Sequence, residues 1–93
     1  MAQMKVVVIE IFEHWVVLVD DLARGPIHNS PQAARRAAIE IAQTEGIAGN
    51  NVMVEERSAR LAQNAVLWSF GADPYPPSER LIQDGSSRAL AAF

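Results

Sequence analysis

The chain contains no cysteine and only two histidines among its 93 residues. Without thiols it can form no disulfide, no thiolate nucleophile and no thiolate metal site, and a cytoplasmic setting is the expectation that suits it. A histidine metal site would need His14 and His28 to converge with carboxylates, and they lack the spacing that puts two ligands on one helix face. They are read as a turn histidine and a strand-end histidine, with no metal and no cofactor expected. A glycine-rich phosphate loop is missing, and so is a G-x-S-x-G elbow. No catalytic constellation can therefore be assembled from motifs. Basic residues are also scarce: eight lysines and arginines face eleven acids, for a net charge of −3. Nucleic-acid domains usually show the opposite balance, so no nucleic-acid partner is expected. The apolar run after Lys5 breaks at Glu13-His14, too short to span a bilayer, so neither a membrane segment nor an export signal is read there.

What is present describes a folded domain. Apolar residues make up 49% of the chain and charged ones 20%, which is enough hydrophobic material for one core at this length. Residues 4–12 (MKVVVIEIF) and 15–19 (WVVLV) are rich in β-branched and aromatic side chains and read as two strands of a hairpin. The connection lacks the Asn or Gly that a two-residue turn prefers, so an odd-length loop is expected. That register sets Phe12 opposite Val16 and Glu10 opposite Leu18. One face then carries Val7, Ile9, Ile11, Val17 and Val19, and the other carries Val6, Val8, Glu10, Phe12, Val16, Leu18 and Asp20.

Ala23 to Pro26 form a turn signal, and Pro26-Ile27-His28 reads as a brief third strand. Ser30 suits an N-cap and Pro31 the first helical position, with the helix running to Gly46 as its C-terminal cap. Ala34, Ala37, Ala38, Ile41 and Ala42 share one stripe, which leaves Arg35, Arg36 and Glu40 on the wet side with an Arg36–Glu40 pair four apart. Residues 52–56 and 65–70 read as a second pair of strands. Pro74, Pro76 and Pro77 exclude a helix or central strand after them and suggest a strap folded back over the core. A short helical turn fits 78–82.

The expected fold is α+β: an antiparallel sheet of four to five strands, β-β-(β)-α-β-β, with one main helix packed on one face. Residues 1–77 form a single domain, and 78–93 a tail that is partly helical or disordered. With the helix assigned to the Val7/Ile9/Ile11 side, Ile9 and Ile41 should meet in the core, and alanine at either should cost about 2–5 kcal/mol.

One helix covers only one side of a sheet. The other side, with Val6, Val8, Phe12, Val16 and Leu18, is more apolar than a monomer normally leaves wet. Its expected cover is the tail (Leu81, Ile82, Leu90, Phe93) or a second copy, and a homodimer is favoured. The functional expectation is thus a non-enzymatic binding or interaction module that self-associates, with some other protein as a further partner. Two alternatives stand beside it. One is nucleic-acid binding through Arg35 and Arg36, with Trp15 or Trp68 as stacking platforms rather than packing residues. The other is a small enzyme built on His14 or His28 beside a carboxylate.

The segment HWVVLVDDLARGPIHNSPQAARRAAIEIAQTEG followed by VLWSFGADPYPP resembles a family of short, uncharacterised bacterial proteins. These run a tryptophan-bearing hairpin, a short third strand, an alanine-rich helix and a second hairpin ending Gly-x-Asp-Pro-Tyr-Pro-Pro. Trp15, Ala34, Ala38, Trp68, Phe70, Gly71, Asp73, Pro74, Tyr75, Pro76 and Pro77 carry the likeness over residues 5–77. The chain departs from the pattern in lacking a glycine in its first hairpin loop, and the resemblance implies a fold rather than an activity. A fainter similarity is to antitoxins of the HicB type, which also open with a hairpin and a helix, although the glycine-cysteine segment expected before that helix is missing.

Overall fold

The computed structural model describes residues 3–57 and 65–85. Its strands are β1 (Gln3–Ile11), β2 (His14–Val19), β3 (Leu22–Ala23), β4 (Asn51–Arg57) and β5 (Ala65–Ser69), with helices α1 (Pro31–Ile47) and α2 (Glu79–Asp84). The five strands form one sheet in the order β3-β2-β1-β4-β5. The α+β class and the helix on one face hold as read from the sequence. The sheet, however, is mixed rather than antiparallel, because β1 and β4 run parallel, with Gln3 opposite Asn51 and Ile9 opposite Arg57.

The cause lies in the connection. The outer edge of β2 is taken by β3 and by a bridge between Trp15 and His28, so the returning chain finds its free edge on β1. α1 has 17 residues and so spans about 25 Å, which carries the chain back along the sheet. β4 therefore starts from the end where β1 starts. The third strand lies at Leu22–Ala23 rather than 26–28, and of that expected strand only His28 contributes a bridge.

Two tight turns shape the first three strands, and the residue types of the first hide it. Ile11 pairs with His14, leaving only Phe12 and Glu13 as the loop, with φ of 50° and 65°. Val19 pairs with Leu22, leaving Asp20 and Asp21 at 49° and 71°. Two central residues with positive φ are the mark of a type I′ hairpin turn, whose twist matches the strands it joins. An even loop reverses the expected facing of β1, while β2 keeps its own. Val6 stands opposite Val19 and Val8 opposite Val17, and these four point toward α1.

The core lies between sheet and helix. Val6, Val8, Val17, Val19, Val52 and Val54 meet Ala34, Ala38, Ile39 and Ala42, with Leu67, Trp68 and Ile82 closing one side. The buried helix stripe is turned by one position from the expected one: Arg35 and Ile39 point in, while Ala37 and Ile41 are half-buried. Ile9 belongs to the opposite side of the sheet, so it does not meet Ile41. A bulge between Val54 and Glu55 shifts β5, setting Val54 against Trp68 and Glu55 against Val66. Leu67 is then the extra residue, and both Leu67 and Trp68 enter the core.

α1 begins as its sequence indicates, with the Ser30 hydroxyl accepting from Ala33 N at 3.2 Å and Pro31 in the first turn. Its end differs. The helix runs through Gly46 to Ile47, with Ala48 as the cap. Gly46 is there for closeness rather than for capping, because a Cβ at that position would fall inside the Phe70 ring. Phe70 in turn meets Trp68 edge-on, with ring centroids 6.5 Å apart, and Tyr75 meets Trp68 from another side at 6.3 Å. Trp68 Nε1 donates to the Pro74 carbonyl at 2.9 Å, so the proline segment does fold back over the core, where the Tyr75–Pro76 bond is cis. Trp68 is thus a packing residue. α2 continues the same core through Ile82, while Leu90 and Phe93 lie outside the described residues. Among the described residues no helix is long and apolar enough to cross a membrane.

Two substitutions test this account. Gly46→Ala raises helix propensity by about 1 kcal/mol, but overpacking against Phe70 should outweigh it and lower stability by about 1–3 kcal/mol in chemical denaturation. A more stable variant would show that the ring and helix are not in close contact. Glu13→Gly should relieve the left-handed backbone and raise stability by about 0.5–1 kcal/mol, or a few degrees in Tm. A drop in Tm would refute the two-residue turn.

Candidate interaction face

Cross-strand partners share a face, so the register defines the side of the sheet that α1 does not cover. Val7 stands between Leu18 and Glu55, Ile9 between Val16 and Arg57, Lys5 opposite Met53, Ile11 opposite His14, and Glu55 opposite Val66. Among the described residues both helices pack on the other side. The uncovered face therefore has an aliphatic centre made by Val7, Ile9, Val16 and Leu18.

Exposure rises toward the turn end. Val7 is buried at 5% exposure, and Ile9, Val16 and Leu18 are half-buried. Ile11 is 43% exposed and Phe12, at the tip of the hairpin, 92%. The antiparallel bridge of Trp15 with His28 brings Ile27 beside Val16, and Ile27 is 66% exposed. Large apolar side chains thus gather at one end of the face. Charges of both signs border it: Lys5 Nζ lies 3.9 Å from Glu55 Oε1.

Of the residues expected to form an interaction face, only Val16 and Leu18 lie on it. Val6 and Val8 are fully buried beneath α1, and Phe12 occupies the turn. Val7, Ile9, Ile11, Met53 and Val66 take the places of Val6 and Val8. Reading the Phe12-Glu13 pair as a two-residue turn would have found Val7, Ile9 and Ile11, since loop parity decides which β1 residues share a face with Val16 and Leu18.

The two arginines part company. Arg35 is 7% exposed, and its guanidinium forms a fork on Glu56, with Nε to Oε1 at 2.7 Å and Nη2 to Oε2 at 3.0 Å. Its remaining arm, Nη1, donates to the carbonyls of Ile82 at 2.8 Å and Gln83 at 3.1 Å. Arg35 therefore joins α1, β4 and the end of α2 and cannot reach a nucleic acid, contrary to the expectation of a wet face. Gly85, at φ +63°, lets the chain pass the guanidinium, because a Cβ there would collide with it. Arg36 is exposed, but its Nη2 bonds both Glu79 oxygens at 2.8 and 2.9 Å instead of pairing with Glu40.

The histidines do not converge. His14 is exposed and lies opposite Ile11 on the uncovered face, whereas His28 bridges Trp15 on the helix side. Glu55 and Glu56 point to opposite faces, one near Lys5 and one to Arg35. Among the described residues no three His, Cys, Asp or Glu side chains cluster as metal ligands would. Comparison with family models, with curated proteins and with solved structures finds no match. The resemblance to short bacterial proteins thus rests on its motif residues alone.

The Arg35 clamp makes a quantitative prediction. Arg35→Met leaves Glu56 and the Ile82 carbonyl without their donor in a nearly dry site and should cost about 3–5 kcal/mol in urea unfolding. Adding Glu56→Leu should recover part of that loss, because the stranded carboxylate is gone. A single variant as stable as the wild type would show that the pair is solvated.

Proposed function

We propose that the protein is a non-enzymatic interaction module that self-associates through the uncovered sheet face. The observation that carries this reading is the aliphatic centre of Val7, Ile9, Val16 and Leu18, running out to exposed Ile11, Phe12 and Ile27. A second copy is the partner that suits it. A twofold-symmetric contact must be complementary to itself, and a rim bearing both Lys5 and Glu55 can oppose its own copy without stacking like charges. Two such sheets pack face to face about 10 Å apart, a distance that aliphatic side chains from both fill.

The nucleic-acid alternative loses its support, since Arg35 is buried and the charge of Arg36 is offset by Glu79. The same proposal sets the chain among the short bacterial proteins it resembles, working in the cytoplasm. Its support there is the tryptophan-bearing hairpin and the Gly71 to Pro77 motif.

Sedimentation velocity tests the reading. The wild type should be dimeric at about 100 µM, and Leu18→Lys should weaken association at least about tenfold, a loss of about 1.4 kcal/mol. Leu18→Lys should keep the wild-type circular dichroism, because Leu18 is only half-buried and lies outside the helix-facing core. A monomeric wild type at that concentration, or a Leu18→Lys protein that still dimerises with unchanged affinity, would overturn it.

A further inference from the structure

A second concavity lies on the helix side, away from the sheet face, and its construction is unusual. After β3, Arg24 N still bonds the Val17 carbonyl at 2.9 Å, holding the chain to the edge of β2. Gly25, at φ +82°, and Pro26 then carry the backbone outward. His28 returns it with two bonds to Trp15, at 2.8 and 2.9 Å. The loop stands off the exposed flank of α1, and the open cleft between them has a volume of about 310 Å³. Pro26, Ala37 and Ile41 supply an apolar lining, and Glu40 and Thr44 supply polar groups from the helix.

The charges of this cavity do not balance. Arg24, at its mouth, is offset by Glu45, with Nη2 3.3 Å from Oε2. Glu40 would be paired if Arg36 reached back along the helix, but Arg36 is held by Glu79, and the Glu40 carboxylate has no partner among the described residues. The Thr44 hydroxyl donates to the Glu40 carbonyl at 3.1 Å and keeps its lone pairs to accept. His28 Nε2 is buried without a hydrogen-bond partner, a deficit of the kind that folded proteins rarely leave. The cavity therefore offers acceptors and one uncompensated negative charge close to the carbonyl end of α1.

We infer that this cavity binds a primary ammonium group carried on a short aliphatic stem. An ammonium brings three donors and no acceptor, matching the Glu40 carboxylate and the Thr44 oxygen. Its stem lies on Ala37, Ile41 and Pro26. A carboxylate ligand would instead confront Glu40 and the negative end of the helix dipole.

The test is an NMR titration of the full ¹⁵N-labelled chain with n-butylammonium chloride, and separately with sodium butyrate at matched ionic strength. Butylammonium should saturate with a Kd of about millimolar, the affinity open to so small a ligand, and move the amide signals of Arg24, Gly25, Ile27, His28 and residues 37–44. Butyrate should leave them in place. Glu40→Gln should weaken binding about tenfold or more, as for loss of a charge-assisted bond. Glu13→Gln, the same change of charge in the hairpin turn, should leave it unchanged. Shifts that never saturate, an equal response to butyrate, or equal weakening by both glutamine variants would each overturn the assignment. None of these outcomes depends on whether the sheet face dimerises.

Discussion

Arg35 sends one guanidinium to three groups on two other elements: the Glu56 carboxylate on β4 and the carbonyls of Ile82 and Gln83 at the end of α2. A charge so far removed from water persists only when its donors are satisfied together. That requirement explains details that look unrelated. Gly85 has no side chain because one would strike the guanidinium, and α2 ends where its carbonyls turn toward it. Ile82 is delivered to the core by the same anchoring. The short second helix would have little reason of its own to form, since six residues fall well below the length at which an isolated helix is stable.

How much of this could be read beforehand depends on the range of the cause. The start of α1 was legible at Ser30-Pro31 because capping is local. The strap after β5 was legible because proline restricts its own backbone. Loop parity was not, since Phe12 and Glu13 are poor residues for a left-handed turn and the strand pairing holds them in it. The even loop turns β1 over relative to β2, which places Val6 and Val8 under the helix beside Val17 and Val19. Arg35 looked like a surface residue because its partners come from β4 and α2, far along the chain. Gly46 looked like a cap because Phe70, which needs its bare Cα, belongs to another element.

The two surfaces singled out above divide the molecule by chemistry as well as by side. The uncovered sheet face is aliphatic, bordered by charges of both signs, and suited to a broad, flat contact. The cavity beside α1 is small and rich in acceptors, and it is formed by a loop that leaves the sheet and returns. Such loops tolerate change more readily than the strands that hold them. In the Gly25–Ile27 loop the composition can vary without disturbing the valine core beneath.

The parallel pairing of β1 with β4 also has a consequence for synthesis. β1 leaves a ribosome before β4, yet one of its edges stays unpaired until β4, with the whole of α1 between them, has been made. The first hairpin can close early, because its loop is two residues long. The central ladder must wait for a long loop to close, a slow step for which chain entropy is the barrier. During that interval the nascent protein carries a bare, valine-rich ribbon. Any crowding of partly made chains would meet its most adhesive surface at that point.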